Sequence, residues 1–327
     1  MPPTHHHRLF NARLVRDRVA AVPPSLFEQH RKTVEIWLGL KRSGALQDAN
    51  EVQLHGGFLE RIFGDVLGYR TMATSSDGRW DLTAEKRMDA GGSADGAIGM
   101  FAKDEAVVIA PIELKGATQN LDRAMGRNLT PVQQGWDYAN KCPSSRWVIV
   151  SSYVETRLYA VSAGLSPSAW EDFFLDDLAT PEGFNRFYAL LGRQALLGGS
   201  SPDDAPLRRL LIASQSADQE VTANFYEHYR EIRIKLVEEL LRVHSNRSAA
   251  ELVGHAQIIL DRILFIAFAE DRGLIPPNTI ATAFETRNRF RPRPVWDNFL
   301  GLFQAIDRGS SGLGIPAYNG GLFSENP

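Results

Sequence analysis

The chain has 327 residues, with 36 Lys plus Arg against 39 Asp plus Glu, and its net charge of −3 excludes a strongly basic, histone-like binder of nucleic acid. Its length and 43% hydrophobic content indicate about two globular domains, while its single cysteine, Cys142, excludes a disulfide framework and paired-cysteine metal sites. The N-terminus lacks the basic, apolar and small-residue regions that follow one another in a signal peptide. No apolar run approaches the ~20 residues of a membrane span. We therefore expect a cytoplasmic protein without a membrane partner.

The beginning of the chain is expected to be a flexible segment followed by helices. Residues 1–25 are polar and end near Pro23-Pro24, and the histidine tract at residues 5–7 is assigned no chemistry. Apolar residues then recur at helical spacing over residues 26–40 and 49–67. This pattern predicts two helices, with Gly68 ending the second.

The middle of the chain changes to the patterns of strands. Residues 106–114 form a continuous β-branched run, which predicts a central strand buried on both faces. Thr130-Pro131 is a typical helix start and predicts a helix to residue 141, and a further helical patch is expected at residues 170–178. The other segments with strand patterns are residues 80–88, 94–101, 147–150 and 157–161. This order predicts an α/β fold with a mixed central β-sheet flanked by helices.

The last third of the chain has helical periodicity. The Gly/Ser-rich loop at residues 198–202 is interpreted as a linker. Apolar residues advance by three and four positions from Val221, and residues 256–269 are apolar nearly all round, so we expect that second helix to be buried. The sequence thus predicts an α/β domain at residues 26–205 and an all-α module at residues 206–327.

One acidic-x-Lys tripeptide occurs in the chain and runs from Glu113 to Lys115. Because one such match is expected by chance in a chain of this composition, its setting matters more than its presence. The two charged residues end the predicted central strand and, being two positions apart, project from the same side of it. Asp95 starts the preceding predicted strand, and a hairpin centred near residue 103 places it level with about residue 111, one pleat from Glu113.

Two carboxylates with an ammonium group beside them suit phosphodiester hydrolysis. Carboxylate oxygens are hard ligands for Mg²⁺, which can also grip a substrate phosphate. An adjacent lysine can hold or polarise the attacking water. This reasoning predicts Asp95 and Glu113 as metal ligands and Lys115 as a catalytic residue. The alternative is a structural salt bridge between Lys115 and one of the two acids.

A second motif lies on the next predicted helix. Gln134 and Tyr138 are four residues apart and therefore share a helix face, where they can support the acidic site or hydrogen-bond a nucleic-acid backbone. Alone, such a pair is typical of an ordinary helix surface. Combined with Asp95 and the strand into Glu113-x-Lys115, this helix resembles the PD-(D/E)XK nuclease family, in its branch with a Q-xxx-Y helix.

The resemblance implies a restriction-endonuclease-like fold with Gln134 and Tyr138 as supporting site residues. The sequence departs from the family pattern at Ala94, where the family often has proline, and Asp95 and Glu113 are separated by a long interval that still suits a hairpin. Many members also carry an acid on the first helix, for which Glu60 is the candidate metal ligand here.

Longer stretches carry a more particular resemblance. Residues 129–140 and 147–151 look like the nuclease part of type IIG restriction-modification enzymes, which fuse an endonuclease to an adenine-specific DNA methyltransferase. Residues 262–276 and 315–323 are similar to the helical connector before that methyltransferase. The sequence has neither a Gly-rich S-adenosylmethionine loop nor an Asn-Pro-Pro-aromatic tetrapeptide. The resemblance therefore implies S-adenosylmethionine only through a domain expected beyond Pro327.

The expected function is that of a Mg²⁺-dependent endonuclease acting on double-stranded DNA, capable of transient self-association on its substrate. The alternative is a non-cleaving DNA-binding or assembly module of a phage-defence adenine-specific DNA methyltransferase. In that alternative the charged residues at the strand end form only a salt bridge.

Overall fold

The computed structural model of the protein describes residues 7–49, 51–87, 91–124, 129–161, 167–287, 293–318 and 320–324. The chain divides into two units, unit 1 (Met1–Glu220) and unit 2 (Val221–Pro327). Unit 1 holds a six-stranded sheet with helices, and the regular structure of unit 2 in its described part is helical. The prediction of a mixed α/β protein is confirmed.

The sheet of unit 1 has its six strands side by side in chain order. They are β1 (Trp80–Arg87), β2 (Ser93–Ala102), β3 (Glu105–Leu114), β4 (Trp147–Ser151), β5 (Glu155–Ala160) and β6 (Glu171–Phe174). All neighbouring pairs are antiparallel except β3 and β4, which are parallel. A parallel pair needs a crossover connection, and the intervening segment contains a helix that supplies it.

Eight α-helices begin in the described part of unit 1, and they include the two helices that the sequence predicts ahead of the sheet. They are α1 (Ala12–Ala20), α2 (Pro24–Arg42), α3 (Ala45–Asp48), α4 (Glu51–Phe58), α5 (Pro131–Asn140), α6 (Pro181–Leu191), α7 (Arg193–Leu197) and α8 (Pro206–Val243). A π-helix, Leu59–Val66, continues α4, and its wider turn is visible where Leu67 N donates to Ile62 O at 3.0 Å. Gly68 has a φ of +80°, which glycine adopts without strain, and ends this helical stretch as expected.

Apolar side chains are buried on both faces of the sheet. One face packs against the first helices and the π-helix through Leu59, Ile62, Ile98, Ile112, Leu114 and Ile149. The other face packs beneath α5 through Val132, Ala139, Val148, Val150 and Tyr159. Because β3 and β4 carry buried residues toward both layers, the prediction of a central strand at residues 106–114 is confirmed.

Three expectations about unit 1 are wrong. Residues 7–25 are not a flexible segment, since Leu9 and Phe10 are buried in the main core and α1 follows them; residues 1–6 lie outside the described part. The patch at residues 170–178 forms strand β6 and a short 3₁₀ turn in place of a helix. The break between units falls after Glu220 and not at residue 205, because Leu207 and Leu211 of α8 are fully buried in the core of unit 1.

Unit 2 has its own small core. Its helices after α8 are α9 (Ala249–Asp271), α10 (Thr279–Glu285) and α11 (Val295–Arg308). The side chains that form the core are Ile266, Ala269, Ile275, Leu302, Phe303, Ile306, Ile315 and Phe323. The described residues of unit 2 therefore form an all-α module, in the last third of the chain.

The expectation that α9 is buried all round is wrong. Val253, Leu264 and Phe268 are 44%, 40% and 52% exposed, because only one side of the helix faces the core of unit 2. By its length and apolar composition, α9 could also cross a membrane, and a single such helix is a weak indication. Its Asp261 accepts a hydrogen bond from the hydroxyl of Tyr229 on α8 at 2.8 Å.

Candidate functional site

The register of β2 against β3 brings the predicted acidic pair together. The two strands are joined by a tight turn that pairs Ala102 with Glu105, and Gly96 pairs with Ile112 at the far end. Continuing this register by one residue on each strand puts Asp95 directly opposite Glu113. Directly opposed side chains have Cβ atoms about 4.5–5.5 Å apart, so the two carboxylates share one patch of the sheet.

The predicted register is wrong by two residues: the sequence places Asp95 opposite about residue 111, and the structure places it opposite Glu113, closer than expected. Half of the difference arises at the turn, whose centre lies between Lys103 and Asp104. The other half arises at a β-bulge, where the pairing shifts between Ile98 and Gly99 and Ile109 is the extra residue on β3. A bulge of this kind is not visible in the alternation of apolar residues, because both faces of β3 are buried.

Glu113 and Lys115 form an ion pair at the end of β3. Glu113 has a side chain that is 2% exposed, and its Oε1 lies 2.5 Å from Lys115 Nζ. The Lys115 side chain is 18% exposed, and its backbone N–H donates to Ser151 O at 2.8 Å, which ties the strand end to β4. A buried carboxylate is costly unless it is paired, so the ammonium group compensates the charge of Glu113.

Asp95 is held in place by the backbone of the opposite strand. Its Oδ2 accepts a hydrogen bond from Leu114 N at 2.7 Å. Its Oδ1 lies 4.0 Å from His55 Nδ1, on α4. The side chain of Asp95 is 25% exposed, so this carboxylate is anchored at one oxygen and accessible to solvent at the site.

Tyr138 is brought to the two acids by the close packing of α5 on the sheet. The helix starts at a capping box in which Thr130 and Gln133 bond each other's backbone N–H groups. A Cβ atom on Gly135 would lie 2.8 Å from Val148 Cγ1, so only glycine permits this approach. Burial and the negative charges of Glu113 and Asp95 raise the pKa of Tyr138 to about 12.

Gln134 and Glu60 make no described contact with Asp95 or Glu113. Gln134 is half-buried one turn before Tyr138, and its Nε2 donates to Leu129 O at 3.1 Å, so it steadies the start of α5. Glu60 is exposed on the π-helix, and its charge acts on the neighbouring Arg61. Asp95, Glu113, Lys115 and Tyr138 are thus the predicted residues that the structure brings together.

His55 is a neighbour of the site that the sequence analysis did not name. Its ring is 19% exposed, its Nδ1 faces Asp95, and its buried Nε2 has no hydrogen-bond partner within the described part of the chain. His55 lies four residues before Leu59, and the structure packs the Leu59 side chain against Gly96, next to Asp95.

Asp95 and Glu113 are the residues of this site whose side chains could hold a hard divalent cation. Mg²⁺ is commonly bound through one or two carboxylates and keeps several waters, and Asp95 and Glu113 would supply those carboxylates. Within residues 7–324, the described part contains no cluster of three or more His, Cys, Asp or Glu side chains placed to hold a metal ion. The site is therefore a two-acid site and not a closed protein cage.

Comparison with models of known protein families, with curated proteins and with solved structures finds no match to this chain. The chemistry of the site consequently rests on its own residues and their geometry.

The pKa of Tyr138 is raised by burial and, in addition, by the nearby acids, so it should respond when one of those acids is removed. In the Glu113→Gln protein, the negative charge of Glu113 is removed while burial and the charges of Asp95 and Asp137 remain, so we expect the pKa of Tyr138 to fall from about 12 toward 10. The measurement is the near-ultraviolet absorbance of tyrosinate against pH, taken as the difference between each protein and its Tyr138→Phe counterpart. Glu35→Gln, at an exposed residue that pairs with Arg31, is the matched control and is expected to leave the titration unchanged.

The raised pKa of Tyr138 also makes the free energy of unfolding depend on pH. Because the folded protein keeps the Tyr138 proton up to about pH 12 and the unfolded chain loses it near pH 10, this residue makes the free energy of unfolding fall as the pH rises between those values. The Tyr138→Phe protein should lose less stability over that interval. An unchanged tyrosinate titration in Glu113→Gln would place the phenol away from the acids.

Proposed function

We propose that unit 1 is a metal-dependent DNA endonuclease domain with a restriction-endonuclease-like, PD-(D/E)XK type of fold. The observation that carries the proposal is the strand register that puts Asp95 opposite Glu113, with Lys115 Nζ 2.5 Å from the Glu113 carboxylate at the end of a central strand. Two acids and an ammonium group at one strand end suit hydrolysis of a phosphodiester.

Each residue of the site has a task in this proposal. Asp95 and Glu113 would hold Mg²⁺, which when bound offsets charge on the phosphoryl oxygens. Lys115 orients the attacking water and donates hydrogen bonds toward the scissile phosphate. Tyr138 keeps its proton at neutral pH, since its pKa is raised to about 12, and acts as a hydrogen-bond donor beside the acids. Gln134 supports the start of α5.

The wider proposal is that the chain is the N-terminal part of a type IIG-like restriction-modification protein. Unit 1 would cut double-stranded DNA in the cytoplasm, with transient self-association on the substrate, and unit 2 would be the connector toward an adenine-specific methyltransferase. S-adenosylmethionine would belong to that further domain. Support for this step comes from the long resembling stretches on either side of the unit boundary.

The second candidate function is a non-cleaving DNA-binding or assembly module. The close ion pair between Glu113 and Lys115 favours it to some extent, because a strand-end salt bridge needs no chemistry to explain it. The position of Asp95, which the strand register puts opposite Glu113, counts against it, since a structural salt bridge does not need a second carboxylate nearby.

Replacement of Asp95 tests the endonuclease directly. The Asp95→Asn side chain keeps an oxygen to accept the Leu114 N–H, so the fold should be retained, but it loses the negative charge. We expect nicking of supercoiled plasmid DNA in Mg²⁺ to fall by about 10²–10³-fold. EDTA should abolish nicking by the unmodified protein.

The control for this experiment is Asp65→Asn. Asp65 is an exposed acid paired with Arg61 on the π-helix, and its replacement should leave nicking unchanged. Equal nicking by Asp95→Asn and the unmodified protein would reject the endonuclease, and duplex binding without any nicking would favour the assembly module.

A further inference from the structure

Unit 2 contains a cavity of about 330 Å³. The residues proposed above as catalytic do not line it. It lies where the end of α8, the first half of α9 and the start of α11 meet. Its lining residues are Leu240, His244, Arg247, Leu252, His255, Ile258, Ile259, Arg262 and Trp296. All of them belong to unit 2, so the cavity is a property of that unit alone.

One part of the lining is aromatic and aliphatic. Leu252 is 1% exposed and forms the floor with two isoleucines of α9. The Trp296 indole is 41% exposed and is held from behind by Phe299 and Phe303, with ring centroids 6.1 Å and 5.9 Å away. A fixed and partly exposed indole offers a flat surface on which a planar ring can stack.

The other part of the lining is cationic. Two guanidinium groups and two imidazoles contribute to it, and the described residues that line the cavity include no acid. Arg262 donates from Nε to Leu322 O at 2.7 Å and from Nη2 to Ser324 O at 3.2 Å. Both acceptors are neutral carbonyl oxygens, so these bonds fix the guanidinium and leave its positive charge intact.

Arg247 contributes less net charge than Arg262. Its guanidinium pairs with Glu251, an exposed acid on the first turn of α9 that does not line the cavity. His244 and His255 are exposed at the mouth and provide ring N–H groups that can donate to an anion. Arg247, His244 and His255 thus lie at the exposed part of the lining, and Leu252 lies at its buried floor.

We propose that this cavity binds a nucleotide, with the base on Trp296 and the aliphatic floor and the phosphate among the arginine and histidine side chains. The volume suits a ligand of this size, since small-molecule sites begin near 300 Å³. Base stacking on an aromatic side chain and charge-assisted bonds to phosphate are the two contacts that a nucleotide uses best. A free mononucleotide and one nucleotide of a single strand present the same chemistry.

The test is calorimetric titration of the full chain in EDTA, so that no metal-dependent cleavage intervenes. We expect dAMP to bind with a Kd on the order of 10–100 µM, as is typical for a ligand of its size. Deoxyadenosine, which lacks the phosphate, and ribose 5-phosphate, which lacks the base, should each bind at least about 10-fold more weakly because one of the two contacts is missing.

Variants assign the binding to this cavity. His255→Ala and Trp296→Leu should each weaken dAMP binding by about 5–10-fold. The matched control is Arg242→Gln, at an exposed residue of α8 that pairs with Glu239 outside the cavity, and it should bind as the unmodified protein does. Thermal unfolding of each protein shows whether it is folded, so that the His255→Ala result stands even if Trp296→Leu destabilises unit 2.

The source of the nucleotide follows from a parallel titration with a short single-stranded oligodeoxyadenylate. Tighter binding of the strand than of dAMP supports a strand end or an unpaired base as the ligand, and binding of dAMP alone supports a free nucleotide. The proposal is overturned if neither ligand binds, if ribose 5-phosphate binds as well as dAMP, or if both cavity variants bind dAMP as tightly as the Arg242→Gln control. Because the assay needs no cleavage, its outcome is independent of the endonuclease proposal.

Discussion

Replacing Lys115 with alanine is expected to reduce Mg²⁺-dependent nicking of duplex DNA by about 10³-fold or more while DNA binding is retained. The ammonium group lies 2.5 Å from the buried Glu113 carboxylate, and an alanine supplies neither its charge nor its donors. The measurement is the rate of plasmid nicking, with duplex binding followed separately by fluorescence anisotropy in EDTA.

The same replacement has a cost in stability that must be separated from its effect on chemistry. Glu113 is 2% exposed, and removing one partner of a buried ion pair typically costs about 3–5 kcal/mol. Lys115→Arg keeps the positive charge and should preserve most of the stability, yet it moves the donors away from the position of the ammonium group. We expect this second variant to be folded and nearly inactive.

Lys41→Ala is the matched control, since Lys41 also pairs with a carboxylate, that of Asp176, on the other side of the core. It should nick DNA at the normal rate. Normal nicking by Lys115→Arg would show that the ammonium group has no catalytic task, and loss of nicking in both lysine-to-alanine variants would show that the assay reports stability alone.

Gly99→Ala is expected to cause the largest loss of stability from a single methyl group in unit 1. A Cβ atom at residue 99 would lie 2.0 Å from the Val107 carbonyl oxygen and 2.9 Å from the Phe101 ring. Such a contact cannot be relieved by a side-chain rotation, because its closest partner is backbone. We expect the free energy of unfolding in urea to fall by about 3 kcal/mol.

The position of Gly99 links this loss to the site. The bulge beside it is what brings Asp95 level with Glu113, and a slip of one residue would turn the side chains of one strand to the opposite face. Gly99→Ala should therefore lose nicking activity even at temperatures at which it is still folded. Amide hydrogen exchange along β2 and β3 provides the measurement of pairing.

Gly39→Ala is the control for this substitution. Gly39 lies in α2 with open space around the position of a Cβ, so alanine should be neutral or stabilise the protein by up to about 1 kcal/mol. A urea midpoint for Gly99→Ala equal to that of the unmodified protein would show that the bulge adapts without cost.

The parts of the fold with strong periodicity could be predicted from the sequence, and the parts set by irregular backbone could not. Residues 106–114 and Thr130-Pro131 carry unambiguous local signals and form β3 and the start of α5 as expected. The segment at residues 170–178 failed because its aromatic spacing is compatible with both a helix and a strand, and only pairing of β6 with β5 decides between them.

The site shows the same division. Asp95, Glu113 and Lys115 could be selected from the sequence, because acids and a lysine at predicted strand ends are costly without a partner, whereas Tyr138 was selected through the resemblance of its helix to a nuclease family. Their register could not, since the extra residue at Ile109 is apolar like its neighbours and leaves no mark in the pattern. His55 was missed because a lone histidine on a helix gains meaning only once its distance to Asp95 is known.

The placement of the charged groups along the chain has a consequence for how the protein is made. Asp95, Glu113, Lys115 and Tyr138 come from a hairpin and the helix that follows it, all within unit 1. Domains generally fold as units in the order of synthesis, with the N-terminal one first. The acids and the ammonium group can thus reach their native pairing before unit 2 folds. Any effect of unit 2 on the activity of these residues would then act on a site that has already formed.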